Sequence, residues 1–442
     1  MKLRLHGLVP ALAMLLLLFT GCKKNDAVPM VPVPDEAFLS ALIELGVDTN
    51  GDGELCPCEA EAVTSLDVSG MGITDLSGIE AFANLTTLVC FGNQITSMDL
   101  SDNDLLSSLR CDQNQLSSLE FLNNPLLVNV QCNDNQISRI DVSKCPHLVE
   151  LNCEMNAIPH LDVSNNLSLQ TLECMSNDLS ALDVTNNIAL EYLNCASNKI
   201  SSLIVSNSPL LRELDCRDNN LAALVVTALS DLTDLNCTGN QIYNLDVSNN
   251  PQLRNLLCSE NELSSLDVRN NPNLESLGCG NNALTSLDVS GNASLLKLGF
   301  ESAQISNLNI SNNPELTHLN CVDNNLGALD LSGNTSLQYL YCSDNKLTSL
   351  ELGMQTALLE LWCGGNQLTG LDISNNILLG SPEWNCESND FRVCEGVCIE
   401  IDIREMPNLQ EVCVWESPFP PDDICVNAGD SPHVSFTTVC SK

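Results

Sequence analysis

From residue 85 to about residue 380 the apolar positions of the chain recur at a fixed interval of 21 residues. In the copy at 106–116 they are Leu106, Leu109, Cys111 and Leu116, and a second short stretch follows at Leu119 and Phe121. Ser108, Arg110 and Asp112 alternate with Leu109 and Cys111, which is the two-residue period of a half-buried strand. Leu161, Asp162 and Val163 repeat that alternation in the second half of another copy. Twenty-one residues leave no room for two strands, two corners and a full helix. Each copy is therefore expected to form a flattened coil with two short parallel strands, and stacked coils bury a shared interior of Leu, Val and Cys. The expected fold is mainly β: a solenoid of about 14–15 coils over residues 66–380.

One column is unusual. Cys90, Cys111, Cys132, Cys153, Cys174, Cys195, Cys216, Cys237, Cys258, Cys279, Cys321, Cys342 and Cys363 share it, and only Phe300 departs. Disulfide frameworks of exported proteins have no such regularity. A metal or redox ladder is one reading; a small apolar side chain at a narrow buried corner is the other. In-register neighbours place Cβ atoms ~4.8 Å apart, beyond usual disulfide geometry, and a dry interior raises a thiol's pKa. Inert free thiols are expected. Asn114 heads a further column, broken only by Ala303, whose amides are expected to satisfy corner N–H and C=O groups. The whole pattern, LxxLxCxxNxL continued by LDV in most copies, resembles the bacterial leucine-rich repeats of 21 residues with two nested half-units.

A third column is acidic. Asp99, Glu120, Asp141, Asp162, Asp183, Asp246, Asp267, Asp288, Asp330, Glu351 and Asp372 fill outward places, with Ile204, Val225 and Asn309 in the remaining three. Like charges on neighbouring strands repel. The expected offset is a hydrogen bond from the Ser or Thr two residues on; divalent cations bridging the ladder are the sharper alternative.

Before the first coil, residues 48–59 read D-x-N-x-D-G with Glu at the twelfth place, which matches the EF-hand loop. The match implies calcium held by Asp48, Asn50, Asp52, the carbonyl of Glu54 and a bidentate Glu59. Cys56 at the ninth place and Pro57 after it depart from the pattern, and Cys56 and Cys58 are bridged to each other or elsewhere. Phe38, Leu39, Leu42 and Ile43 have helical spacing. Residues 35–65 are thus expected to form a small helical cap over the first coil.

Residues 1–21 read as a signal peptide, with Lys2 and Arg4 ahead of an apolar stretch too short to span a membrane. It ends in Phe19, Thr20, Gly21 and Cys22, which resembles a bacterial lipobox although Leu or Val usually stands where Phe19 does. The resemblance implies lipidation of Cys22, and residues 22–34 read as a tether. After about residue 380 the period fails. Cys386, Cys394, Cys398, Cys413, Cys425 and Cys440 are expected to staple a C-terminal cap over 381–442, where Leu409, Val412 and Val414 still mimic inward columns. Parts of this segment resemble a terminal block of Bacteroidota lipoproteins with such repeats.

The formal net charge is −40, with 57 acidic against 17 basic residues. It excludes nucleic acid and polybasic docking to anionic lipid, and favours cations or basic partners. No Walker loop, GxSxG or zincin helix is present, so an enzyme is not expected. The outward positions equivalent to 108 and 110 are mostly polar, except that His318, Tyr339, Tyr341 and Trp362 gather in the last coils. Exposed aromatics among polar neighbours suit a protein or sugar ligand; alternatively the C-terminal segment covers them, with Trp384 as a candidate. The expected role is a monomeric, non-enzymatic lipoprotein of the outer membrane, at the cell surface, that binds a protein for adhesion or recognition. Carbohydrate capture and a structural envelope spacer are the alternatives.

Overall fold

Each first-half pattern becomes a three-residue strand with its central side chain inward, as in Ser108–Arg110 and Tyr339–Tyr341. The structure, a computed structural model, describes residues 30–379, 401–414, 426–429, 431 and 434–438. Cys22, the signal segment, Trp384 and all the C-terminal cysteines except Cys413 lie outside those residues. The first-half strands pair in parallel from Ser65–Asp67 onward, the inward Leu of most copies lying opposite the Leu 21 or 22 residues later, as Leu66 with Leu88, Leu88 with Leu109 and Leu340 with Leu361, while Val130 takes that place between Leu109 and Leu151. The sheet has 17 strands, more than the expected coils, because degenerate coils extend the stack at both ends. Leu361 pairs with Ile401, and Ile401 with Val426, so winding continues beyond residue 380. Leu409, Val412 and Val414 are buried, as their spacing predicts.

The second side of the coil differs from the expected continuous sheet. Among the described residues its ladders form in three patches: Ser118–Glu120 with Arg139–Asp141, Ala181–Asp183 with Ser202–Ile204, and Gly370–Asp372 with Glu411–Cys413 and then Ser435–Thr437. Charge alone does not account for this. In the first patch Arg139 pairs with Glu120 at 3.0 Å, and in the others Asp183 faces Ile204 and Asp372 faces Cys413. Asp246, Asp267 and Asp288 go without a ladder although Arg269 pairs with Asp267, whereas Glu351 and Asp372 form an isolated parallel bridge despite their like charges. Relief of charge is insufficient, because Ile204 and Val225 do not pair either.

At the N-terminus the helix Glu36–Glu44 buries Phe38, Ala41 and Leu42 on the first coil. Asp35 fixes it there. One carboxylate oxygen accepts from Phe38 N at 2.9 Å and the other from Thr74 N and Thr74 Oγ1 at 2.9 and 2.7 Å. Burial opposes the charge, yet these bonds hold the carboxyl down at about 2. Val31 and Val33 also pack against the core, so the last part of the expected tether belongs to the cap.

Candidate functional site

Two amide spines keep the outer faces in register. Asn282 Nδ2 donates to the carbonyls of Cys258, Cys279 and Gly280 at 3.0, 3.1 and 3.0 Å, while its Oδ1 accepts from Leu263 N at 2.9 Å. The bonds to Cys258 and Leu263 cross to the preceding coil, so each amide joins two coils. A second column runs along the other corner, where Asn250 Nδ2 donates to Val226 and Leu229 carbonyls at 2.9 and 2.7 Å. Sequence reasoning missed this second spine. Its signal was the recurrent Asn pair after LDVS, as at Asn165 and Asn166.

The ladder thiols are free and buried. Burial pushes Cys132 and Cys321 up to about 12, helped at Cys132 by Asp112. Two places after most of them, the turn needs a left-handed residue: Gln113, Met155 and Asp218 have φ of 54, 52 and 54°. Gly92, Gly239 and Gly365 take that conformation without strain.

The outward Asp column behaves as local chemistry predicts. Asp162, Asp246 and Asp288 each accept from the backbone N–H of the Ser two residues on at 2.9, 2.9 and 3.0 Å. Bonds from that Ser, side chain first, lower all three carboxyls. Asp267 accepts from Arg269 Nη2 at 2.7 Å, and that side chain, followed by the Arg269 N–H, brings it to about 2.

The twelve-residue turn gathers its predicted residues, but on its own N–H groups. Asp48 accepts from Gly51 N and Gly53 N at 2.7 and 2.9 Å, Asn50 from Asp52 N at 2.9 Å, and Asp52 from Glu54 N at 3.1 Å. Glu59 is only 3% exposed. Its Oε1 accepts from Thr49 N, Thr49 Oγ1 and Asn50 N at 2.9, 2.9 and 3.2 Å, and its Oε2 from Cys56 N at 3.0 Å. Asp48, Asn50 and Asp52 thus hold the turn through its own N–H groups, and Glu59 ties the turn to the short helix after it. Among the described residues no three His, Cys, Asp or Glu converge as a metal-binding group. Cys56 and Cys58 are bonded to each other, and the helix after the loop is one turn, Pro57–Ala60.

At the far end of the sheet the four aromatic candidates come together. His318 stacks on Tyr339 with ring centroids 4.3 Å apart, and Tyr341 meets Trp362 edge-on at 4.8 Å. The register explains both pairs, since His318 lies opposite Tyr339 and Tyr341 opposite Trp362 on adjacent strands. Tyr341 donates its hydroxyl to Glu360 Oε2 at 3.0 Å. Burial, then Lys297, lowers His318 to about 4, so this half-buried group of rings carries no imidazolium at neutral pH.

No family model matches the chain. The functional domain of InlJ from Listeria monocytogenes, a structure that includes a cysteine ladder, superposes with a TM-score of 0.74 at 31% identity, covering 86% of this chain and 80% of that one. A leucine-rich-repeat protein of Leptospira interrogans gives 0.67 at 22% identity, over 89% of this chain and 98% of that one. An internalin, InlF, of Listeria monocytogenes gives 0.60 at 24%, over 74% and 94%. These two show the fold alone. Over 74 residues the chain is 39% identical to Internalin J of Listeria monocytogenes, a match covering 16% of this chain and 8% of that protein. The InlJ likeness, spanning most of both chains and sharing the column of cysteines, decides the family: the chain belongs to the bacterial leucine-rich-repeat proteins of the internalin type.

Proposed function

We propose that this chain is a non-enzymatic lipoprotein of the cell surface that recognises a protein partner on the outer face of the long sheet. The observation that carries the reading is the aromatic group His318, Tyr339, Tyr341 and Trp362, drawn from consecutive coils of a face that is otherwise mostly polar. Rings held by their neighbours lose little entropy on binding and supply large contact areas. Lipidation at Cys22 would tether the molecule to the outer membrane without a spanning helix. The loop at 48–59 is proposed as a weak calcium site serving the cap, since binding by Glu59 requires it to release its hydrogen bonds.

Carbohydrate is the second reading. It is favoured by one feature, a carboxylate on the Tyr341 hydroxyl beside the Trp362 ring, which can serve a pyranose ring as well as a peptide.

Pull-down and a glycan array, each run with wild type and Tyr341→Ala/Trp362→Ala, test these readings. Loss of partner capture by about 2 kcal/mol or more, with the melting temperature nearly unchanged, is the expected result. A drop of many degrees would instead make the rings internal packing. Capture should not vary between pH 8 and 5 through His318, which stays neutral down to about 4. Protease treatment of intact cells tests the outward orientation.

A further inference from the structure

The acidic column is broken over two successive coils, by Ile204 and Val225, at a place the aromatic face does not use. Both side chains point outward, 42% and 59% exposed, and Tyr243 on the next coil is 62% exposed. A hollow of about 240 Å³ lies here, lined by Ala223, Leu224, Val225, Thr227, Tyr243 and Asp246 among others. The same two coils also depart on the inside. Ser208 and Leu229, both fully buried, stand where neighbouring copies have the Asn of the second spine. Two half-coils have thus changed together.

Scattered exposed aliphatics are ordinary on a protein surface. Ile204 and Val225 in a column that is acidic elsewhere, with Tyr243 on the next coil and a hollow between Val225 and Tyr243, make an apolar centre with a charged rim. Asp183 borders it on one side and Asp246 on the other. We propose that this patch is a second docking surface, for a protein segment that presents apolar side chains flanked by lysine or arginine. The apolar side chains enter the hollow beside Val225 and Tyr243, and the cations meet Asp183 and Asp246. A second copy of the chain is a poor occupant, because each carries a formal charge of −40. Three side chains offer much less than the ~800 Å² that each partner buries in a stable interface. The acidic column on either side supplies the remainder, so binding weakens with salt.

Ile204→Asp/Val225→Asp tests this in the full chain, and it restores the residue type that eleven other copies carry there. The probes are a fluorescent peptide with two leucines set among lysines, its twin with serine for leucine, and oligolysine. The leucine peptide should bind wild type at least about tenfold more tightly than the double variant. The serine twin and oligolysine should bind the variant as well as wild type or slightly better, since it adds two carboxylates. Equal binding of the leucine peptide to both proteins overturns the proposal, as does wild-type binding no tighter than that of oligolysine. So does loss of leucine-peptide binding in Tyr341→Ala/Trp362→Ala alone, which would place the peptide on the aromatic face. Sedimentation showing a wild-type dimer that the double variant dissolves would assign the patch to a second copy and also overturn it.

Discussion

Phe300 and Ala303 are two departures in a single coil, three residues apart at one corner. Phe300 stands in the cysteine column and Ala303 in the Asn column, both buried. In the other copies the amide lies against the carbonyl of the ladder residue three places earlier, as Asn324 Nδ2 does on Cys321 at 3.3 Å. A phenyl group at that corner takes up room, and alanine gives it back. The coil thereby forgoes an amide that would accept from Leu284 N as Asn282 does from Leu263. Ala303→Asn alone should lower stability by about 1–3 kcal/mol through overpacking. Phe300→Cys/Ala303→Asn should recover it and exceed wild type by about 1 kcal/mol through the restored bonds. Thermal melts of the four proteins give the cycle; additive effects would show that the two sites do not share space.

At the scale of elements the N-terminal cap depends on one buried carboxylate. Glu59 accepts four N–H or O–H donors, which tie the turn to its short helix. Each buried donor left without an acceptor costs about 1–3 kcal/mol. Glu59→Ala should therefore loosen the cap while leaving the central coils intact. Hydrogen exchange should rise at Phe38, Ala41 and Leu42 and stay unchanged at Leu256 and Leu277. Unchanged exchange in the helix would refute the clamp. Calcium, if it binds the turn as proposed, should raise the wild-type melting temperature and have no effect on Asp48→Asn/Asp52→Asn.

For the whole molecule the cysteine column sets a limit on the alkaline side. Thiols in the unfolded chain ionise near pH 8.5, whereas burial holds those in the coils far higher, Cys132 and Cys321 at about 12. Above the unfolded value the unfolded state loses protons that the native state keeps, so stability falls as pH rises. Below that value the thiols are protonated in both states and contribute no slope. Each contributes about 1.4 kcal/mol per pH unit, and total stability is only about 5–15 kcal/mol. Cooperative unfolding between about pH 9 and 11 is expected, with native thiols unreactive toward a mild labelling reagent below that range. Circular dichroism against pH checks this, and replacing several column cysteines with alanine should make the transition shallower. A fold stable at pH 12 would contradict it.

The sequence alone determined the winding, the inward columns, the free thiols and the Asp–Ser bonds, because each follows from a pattern that most copies repeat at one interval. Leu109, Cys111 and Asp162 could be placed by the two-residue alternation and the interval of 21. Tertiary structure alone decided what depends on the fit between coils or on competition among several donors. Donors on Thr49, Asn50 and Cys56 converge on Glu59, a set of bonds that the motif does not reveal. Parallel register brought His318 onto Tyr339 and Tyr341 onto Trp362, residues 21 apart in the chain. Stacking also turned the corner Asn pairs into a second spine, since an amide's partners lie one coil away and no single repeat reveals them.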